Sequence, residues 1–311
     1  MNNILIQIAS RDRPTEVALL LQSLRTQTYK QFNVIILDDG SKTPLANFYF
    51  IQYLIQRMTF EGNEVVIIRN DIPSGVSKAR QFLVDWTLKN KRKEELLCRL
   101  DDDVIIERDY IQKLMEVIDK GYDIASGLTT PLSQPEWVRD VKYVSPVIGY
   151  CEFDNEGKLK FSGDDCGYGY DKPEILLSPH FRSCALYKKK IHEEGVDYDS
   201  RLSKNGFREE HIISFKAILK GFKIGVHTQA NALHLMTPSG GERDTMNMQE
   251  FNQKIFEETI KRMFDEHGDF LTKYYKDNGI DIEQLKRSNM EYHKVSNLCN
   301  YKPYVMPEEI I

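Results

Sequence analysis

The chain has 311 residues with 41% apolar side chains, enough for one large or two ordinary domains around a sizeable core. Its net charge of −5 and pI near 5.9 argue against a protein that coats nucleic acid through its whole surface, though a local basic groove stays open. The longest apolar runs fall far short of the roughly 20 residues of a membrane span.

The N-terminus, MNNILIQIASRDRP, has no basic segment followed by a long apolar one, so it reads as a first strand and not as a signal peptide. A cytoplasmic, soluble protein is therefore expected, with peripheral membrane contact left open. The five cysteines are scattered and form no CxxC pair, which fits reduced thiols and gives no zinc spacing.

In chain order, residues 3–9 (NILIQIA) read as a strand that runs into the polar loop SRDRP. Pro14 and Thr15 suit a helix start, and Val17, Leu20, Leu21 and Leu24 recur at helical spacing. A second strand at 32–37 ends in Asp38-Asp39-Gly40-Ser41, and a helix is predicted over 51–58. A third strand at 64–68 ends in RNDIPSG, ahead of a helix over 76–88. The fourth, at 96–100, ends in Asp101-Asp102-Asp103.

Such alternation with near-continuous apolar strands implies a mostly parallel sheet with helices on both faces. Ligands of such sheets sit beyond the carboxyl ends of the strands. SRDRP, DDGS, RNDIPSG and DDD therefore converge on one crevice.

Further on, the pattern predicts a helix over 109–120, a strand over 122–127 and a strand over 183–187, followed by a brief helix over 188–195. Between them, 128–170 is irregular, with strand candidates at 142–150 and 158–162. Residues 212–219 read as a helix ending at Gly221, and 222–226 as a strand. An apolar stretch at 231–236 carries His234, and a Gly-rich loop follows it at 237–243. Residues 248–275 read as one long helix, and the chain from about 290 as a tail.

The triple acid is bracketed by LLCRL and VII. Three carboxylates at a buried strand end repel one another, and desolvation adds to the cost. A divalent cation removes that cost, and hard oxygen ligands suit Mg²⁺ or Mn²⁺. Strand alternation predicts that Asp101 and Asp103 share a face while Asp102 points away. The plain alternatives are a solvated acidic turn here, an ordinary turn at DDGS, and surface pairing with nearby acids for Arg11 and Arg13. Glu209-Glu210 alone reads as the acidic first turn of a helix. Trp86 is expected in the core, and Trp137 as a sugar platform or a loop anchor.

The order of these segments resembles the family 2 type of nucleotide-sugar glycosyltransferases, which have the GT-A (Rossmann-like) fold. The matching series is SRDRP, LLLQSLRTQTY, VIILDDGS, RNDIPSGVSKARQ, RLDDDVI and GFREEHIISFKAILKGFKI, across roughly residues 3–245. The resemblance implies a GT-A catalytic domain at 1–245, with a nucleotide-binding half at 1–127 and an acceptor-side half at 128–245. A C-terminal helical extension would follow at 246–311. It implies that Asp39 reads the nucleobase, that the backbone from Ala9 to Arg11 borders base and ribose, and that Arg80 lies near the nucleotide. Asp101 and Asp102 would belong to the nucleotide site, and Asp103 and His234 to the Mn²⁺ or Mg²⁺ shell. Ser239, Gly240, Gly241 and Arg243 would form a loop over the donor. The family's paired acid is usually Glu-Asp, with a Gly eleven residues after the base. Gly221 stands eleven after Glu210, so Glu210 takes the base position with a side chain one methylene longer.

The implied reaction moves a sugar from a nucleotide-diphosphate donor, with UDP favoured, to an acceptor hydroxyl, with inversion. A sugar nucleotidyltransferase would need a Gly-rich loop after the first strand, and SRDRP has no Gly. A non-catalytic nucleotide- or carbohydrate-binding module would have no need of a base. The acceptor (sugar, lipid-linked, protein or modified nucleic acid) and a homo-oligomeric state stay open at this point.

Overall fold

β1 (Ile4–Ser10), β2 (Phe32–Asp39), β3 (Val65–Asn70) and β4 (Leu96–Asp101) lie in the spatial order β4-β1-β2-β3, all parallel. Between them run α1 (Pro14–Arg25), α2 (Tyr49–Phe60) and α3 (Val76–Lys89). The computed structural model describes residues 3–132, 138–139, 145–161, 169–170, 173–242 and 246–288. Proline at the start of α1 has no amide proton to lose, and Val17, Leu20, Leu21 and Leu24 bury one stripe of that helix. β1 is buried along almost its whole length, as a strand covered on both faces must be.

The short β5 (Val104–Ile106), α4 (Tyr110–Asp119) and β6 (Ile124–Pro131) follow. β7 (Val138–Arg139) pairs with β10 (Gly169–Tyr170), and β8 (Cys151–Phe153) with β9 (Leu159–Phe161), in two small sheets. β11 (Ile175–Leu177), β12 (Ala185–Lys188), α5 (Lys190–Glu193), α6 (Glu209–Leu219) and β13 (Ile224–His234) complete the main sheet and its cover.

That sheet has nine strands in the order β11-β13-β6-β12-β4-β1-β2-β3, with β5 paired to β13. It is parallel where strands and helices alternate, and mixed beyond β4. β12 is antiparallel to both β4 and β6, while β13 is parallel to β6 and antiparallel to β5 and β11. One core, beneath α1, α2 and α4, holds Ile4, Ile6 and Ile8. The other holds Leu5, Leu97, residues of α3 and α6, and the C-terminal helices. Alternate β1 residues thus enter opposite cores, which puts helices on both faces.

Three expectations change. The segments at 222–226 and 231–236 share one strand, β13, which covers 224–234 of them and whose register against β6 jumps between Val226 and Asn231. The long C-terminal helix is two: α7 (Met246–His267) stops before Gly268, and α8 (Phe270–Asp277) starts where Asp269 accepts from the Thr272 amide at 2.9 Å. The candidate strand at 142–150 is not one over 145–150, the part described; the strand there is Cys151–Phe153. Trp86 is half-buried against the core, and Trp137 lies outside the described residues. No described helix is long and apolar enough to cross a membrane.

Gly127 holds β6 against the irregular part of β13. A Cβ built there would stand 2.1 Å from the Ala230 carbonyl oxygen. Gly127→Ala is expected to destabilise the protein by about 1–3 kcal/mol through overpacking. An unchanged thermal midpoint would show that the two strands can separate without cost.

Candidate active site

Asp101 is the last residue of β4, and Asp102 and Asp103 form the turn into β5. Because the strand ends at Asp101, alternation no longer governs the next two residues. Asp102 does not point away from the site as strand geometry predicts. Its Oδ2 accepts from Ser10 Oγ at 2.7 Å and its Oδ1 from Arg13 at 2.7 Å, while Arg13 also pairs with Asp103 at 2.8 Å. Burial pushes the Asp102 carboxyl up to about 6 against the opposing pull of Arg13, and burial likewise raises Asp103. Burial also works to raise Asp101, but Arg80 and Arg99 more than offset it, and that carboxyl lies below its ordinary value.

His234 reaches the turn through sheet register. β13 pairs with β5 so that His234 stands opposite Val104, next to Asp103. Its Nε2 lies 3.4 Å from Asp103 Oδ1, and its Nδ1 accepts the Met236 amide at 3.0 Å. Ligand atoms of Asp101, Asp103 and His234 all lie within 4.8 Å of one another.

These residues line a pocket of about 310 Å³ that also includes Ala9, Arg11, Asp39, Asp102 and Gly241. Asp39 is tied to the loop after β3. It accepts from the Asn70 side chain at 2.8 Å, from the Ser74 hydroxyl at 2.8 Å, and from the amides of Ser74 and Gly75 at 2.9 and 3.0 Å. Its partner Asp38 caps the next loop through the Ser41 and Leu45 amides and Arg69. The loop after β13 crosses the pocket mouth. The Gly241 amide donates to the Arg11 carbonyl at 2.7 Å, Arg13 Nε reaches the Ser239 carbonyl at 3.4 Å, and Glu242 pairs with Arg11. At Gly240 a Cβ would meet Arg13 and the Asp12 carbonyl at 2.5 Å, so this approach requires glycine. Arg243 lies outside the described residues.

The paired acids open α6, whose positive N-terminal dipole end favours them. Arg99 and Arg80 join them to the triple acid. Arg80 contacts both Asp101 and Glu209 and stands 3.8 Å from Glu210. Arg99 donates to Glu209 at 3.3 Å and to Glu210 at 3.2 Å, and to the Ser183 carbonyl at 2.8 Å. Glu209 is buried, with 2% of its side chain exposed, whereas Glu210 keeps 22%.

The structure thus brings Arg80, Asp101, Asp103, His234 and Glu210 into one continuous charge network beside the Asp39 loop. Sequence reasoning placed the segments of Ser10, Ser74 and Glu242 at the site but missed their side-chain roles, and it missed Arg99 altogether. Arg99 left one signal: a lone cation inside an apolar strand, two residues before Asp101 and so on its face.

The glycosyl transferase family 2 model matches residues 6–195. An uncharacterized glycosyltransferase of Haemophilus influenzae is 31% identical over 119 residues, which are 38% of this chain and 35% of that protein, so the match spans about a third of the relative's length. Among solved structures, the fold is similar to GalNAc-T7, crystallised with UDP, GalNAc and Mn²⁺ (TM-score 0.62, 16% identity, 94% of this chain and 55% of that one). It is also similar to TarS of S. aureus (TM-score 0.51, 13% identity, 84% and 43%).

Proposed function

The chain belongs to glycosyl transferase family 2, and from that premise we propose that it transfers a sugar from a nucleotide diphosphate, UDP being the favoured carrier, to an acceptor hydroxyl, with inversion and with Glu210 as general base. The observation that carries this reading is the charge network itself. A cluster suited to a diphosphate's cation lies on one side of Arg80 and Arg99, and a partly exposed carboxylate on the other.

The residues fit a divalent cation. Two carboxylates and an imidazole converge within 4.8 Å, and burial disfavours the charge on Asp103. A neutral His234 ring that accepts at Nδ1 carries its proton on Nε2, facing Asp103. Asp101, Asp103 and His234, the last through Nε2, would hold the cation. Mn²⁺ suits the mixed oxygen and nitrogen set, and bound there it would neutralise charge developing on the leaving diphosphate. GalNAc-T7, which shares the fold, holds UDP and Mn²⁺.

The chain's own residues do the rest. Arg13 and Arg80, which now neutralise Asp102, Asp103 and Asp101, are placed to share their charge with a diphosphate. The Asp39 loop and the Ala9–Arg11 backbone border the nucleoside. The segment from Ser239 to Glu242 closes over it. Glu210, on the acceptor side, takes the proton of the attacking hydroxyl as the new bond forms.

Calorimetry with UDP, GDP, CDP and dTDP, each with Mn²⁺ and with EDTA, tests this reading. One nucleotide is expected to bind tightly and only with metal. Asp103→Ala is expected to weaken that metal-dependent binding at least about a hundredfold, since loss even of a ligand's supporting partner costs 10–100-fold in metal affinity. Unchanged affinity with Mn²⁺ would remove Asp103 from the shell.

A further inference from the structure

We propose that the face beside Glu210 carries a subsite for an anionic group, a phosphate or a carboxylate borne by the acceptor, with Arg208 as the recognising cation between Phe161 and Phe207. This deepens the transferase reading and rests on it for the word acceptor.

Arg208 immediately precedes α6 and stands two residues before Glu210. Its backbone is left-handed, at φ 75° and ψ 4°, a state uncommon outside glycine, asparagine and aspartate. The preceding turn holds it there. Asn205 accepts from the Phe207 amide at 3.2 Å and from Asn252 at 2.6 Å, and the Glu209 amide donates to Gly206 at 3.0 Å. The turn therefore fixes the direction in which the Arg208 side chain leaves the backbone.

Its surroundings are aromatic. The Arg208 guanidinium carbon lies 4.7, 4.9 and 5.3 Å from the ring centroids of Phe161, Phe207 and Phe256. Among the described residues the guanidinium makes one hydrogen bond, from Nε to the Gln253 side chain at 3.2 Å. Among the described residues no carboxylate stands within ion-pair distance of it. Arg13, Arg80 and Arg99 differ in this respect, since each rests on carboxylates. Burial pushes Arg208 below its ordinary value, and Glu210 and Glu257 oppose this only from a distance. Among the described residues most of the N–H donors of this half-buried guanidinium are left for an anion, and its planar fork matches phosphate or carboxylate oxygens.

The shelf around it suits a sugar. Phe161 and Phe207 stay 42% and 36% exposed, offering apolar faces on either side of the charge. Beneath them the rings of His180 and His211 lie 4.5 Å apart, each with a buried Nδ1 that has no hydrogen-bond partner among the described residues. Cation and apolar faces thus meet next to the carboxylate that would deprotonate the acceptor.

Ligand-observed NMR on the full chain at low salt tests the subsite with glycerol 3-phosphate and glucuronate against glycerol and glucose. At least one anionic probe is expected to bind about tenfold or more tighter than its neutral counterpart, the worth of a charge-assisted hydrogen bond. Which anion wins names phosphate or carboxylate. Arg208→Gln, with its fold checked by circular dichroism, is expected to erase that preference. Anionic probes that bind no better than neutral ones, or a preference that survives Arg208→Gln, would overturn the proposal. Nucleotide affinity with Mn²⁺, measured on the same wild-type sample, reports the donor side separately. Anion preference without nucleotide binding would overturn the transferase reading and leave the Arg208 site standing; the converse would do the reverse.

Discussion

Glu210→Gln is expected to lower sugar transfer by about 10²–10⁴-fold, the usual worth of a general base, while metal-dependent nucleotide affinity holds. The amide keeps the shape of the side chain and can still accept from Arg99, so the network around α6 survives the change. What it loses is the ability to take a proton. Glu209 is the internal control. It is buried and held by both Arg80 and Arg99, so Glu209→Gln acts first on stability, by leaving those cations short of a counter-charge. Its neighbour, with 22% of its side chain exposed, is the one an acceptor can reach. The pair separates the roles if product formation, nucleotide affinity and thermal midpoint are measured for both variants. Transfer at the parent rate by Glu210→Gln would remove it as the base and return α6 to the plain reading of an acid-capped helix.

The parts of this site that sit at strand ends were legible from periodicity. Apolar runs separated by helical spacing place SRDRP, DDGS and DDD at one edge of a parallel sheet, because that is where such strands end. Pairings that cross from one half of the chain to the other were not. Arg99 looks like a stray cation in LLCRLD until α6, 110 residues later, supplies Glu209. Asp102 obeys a strand rule only if the strand continues, and here it stops one residue earlier. Asp39 looks like a free nucleobase reader, yet its bonds to Asn70, Ser74 and Gly75 show it first holding the neighbouring loop. Those bonds depend on how two loops meet, which no local pattern encodes. The break at Gly268 is the reverse case. Glycine followed by an Asp cap is a legible stop, but the apolar period continues through it and masks the signal.

Acid should weaken this fold above the range in which its lowered carboxylates titrate. His180 and His192 are buried, and burial lowers each to about 4, while His211 is driven well below its ordinary value by burial and by His180, Arg208 and Arg182. An unfolded histidine titrates near 6.5. Between about 6.5 and 4 the unfolded chain therefore binds protons that the folded chain refuses, and stability falls as pH falls. The loss is about 1.4 kcal/mol per pH unit for each such group. From pH 7.5 to 5, His180 and His192 together account for about 4 kcal/mol, and His211 acts in the same direction. Asp102 works oppositely. Its folded value near 6 lies above the ordinary carboxylate range, so protonation there favours the folded chain and returns about 1 kcal/mol over the same interval. The lowered carboxylates Asp38, Glu94 and Asp199 add their loss only at lower pH. Urea unfolding at pH 7.5, 6.5, 5.5 and 5 should show the midpoint dropping steeply across this range. His192→Gln should flatten the slope, because among the described residues the ring bonds the Val196 carbonyl at 2.6 Å, packs on Tyr187 and Tyr198, and touches none of the three acids. A midpoint constant from pH 7.5 to 5 would mean that these rings gain protons without unfolding, and that the buried histidine pair beside Arg208 is reached by water.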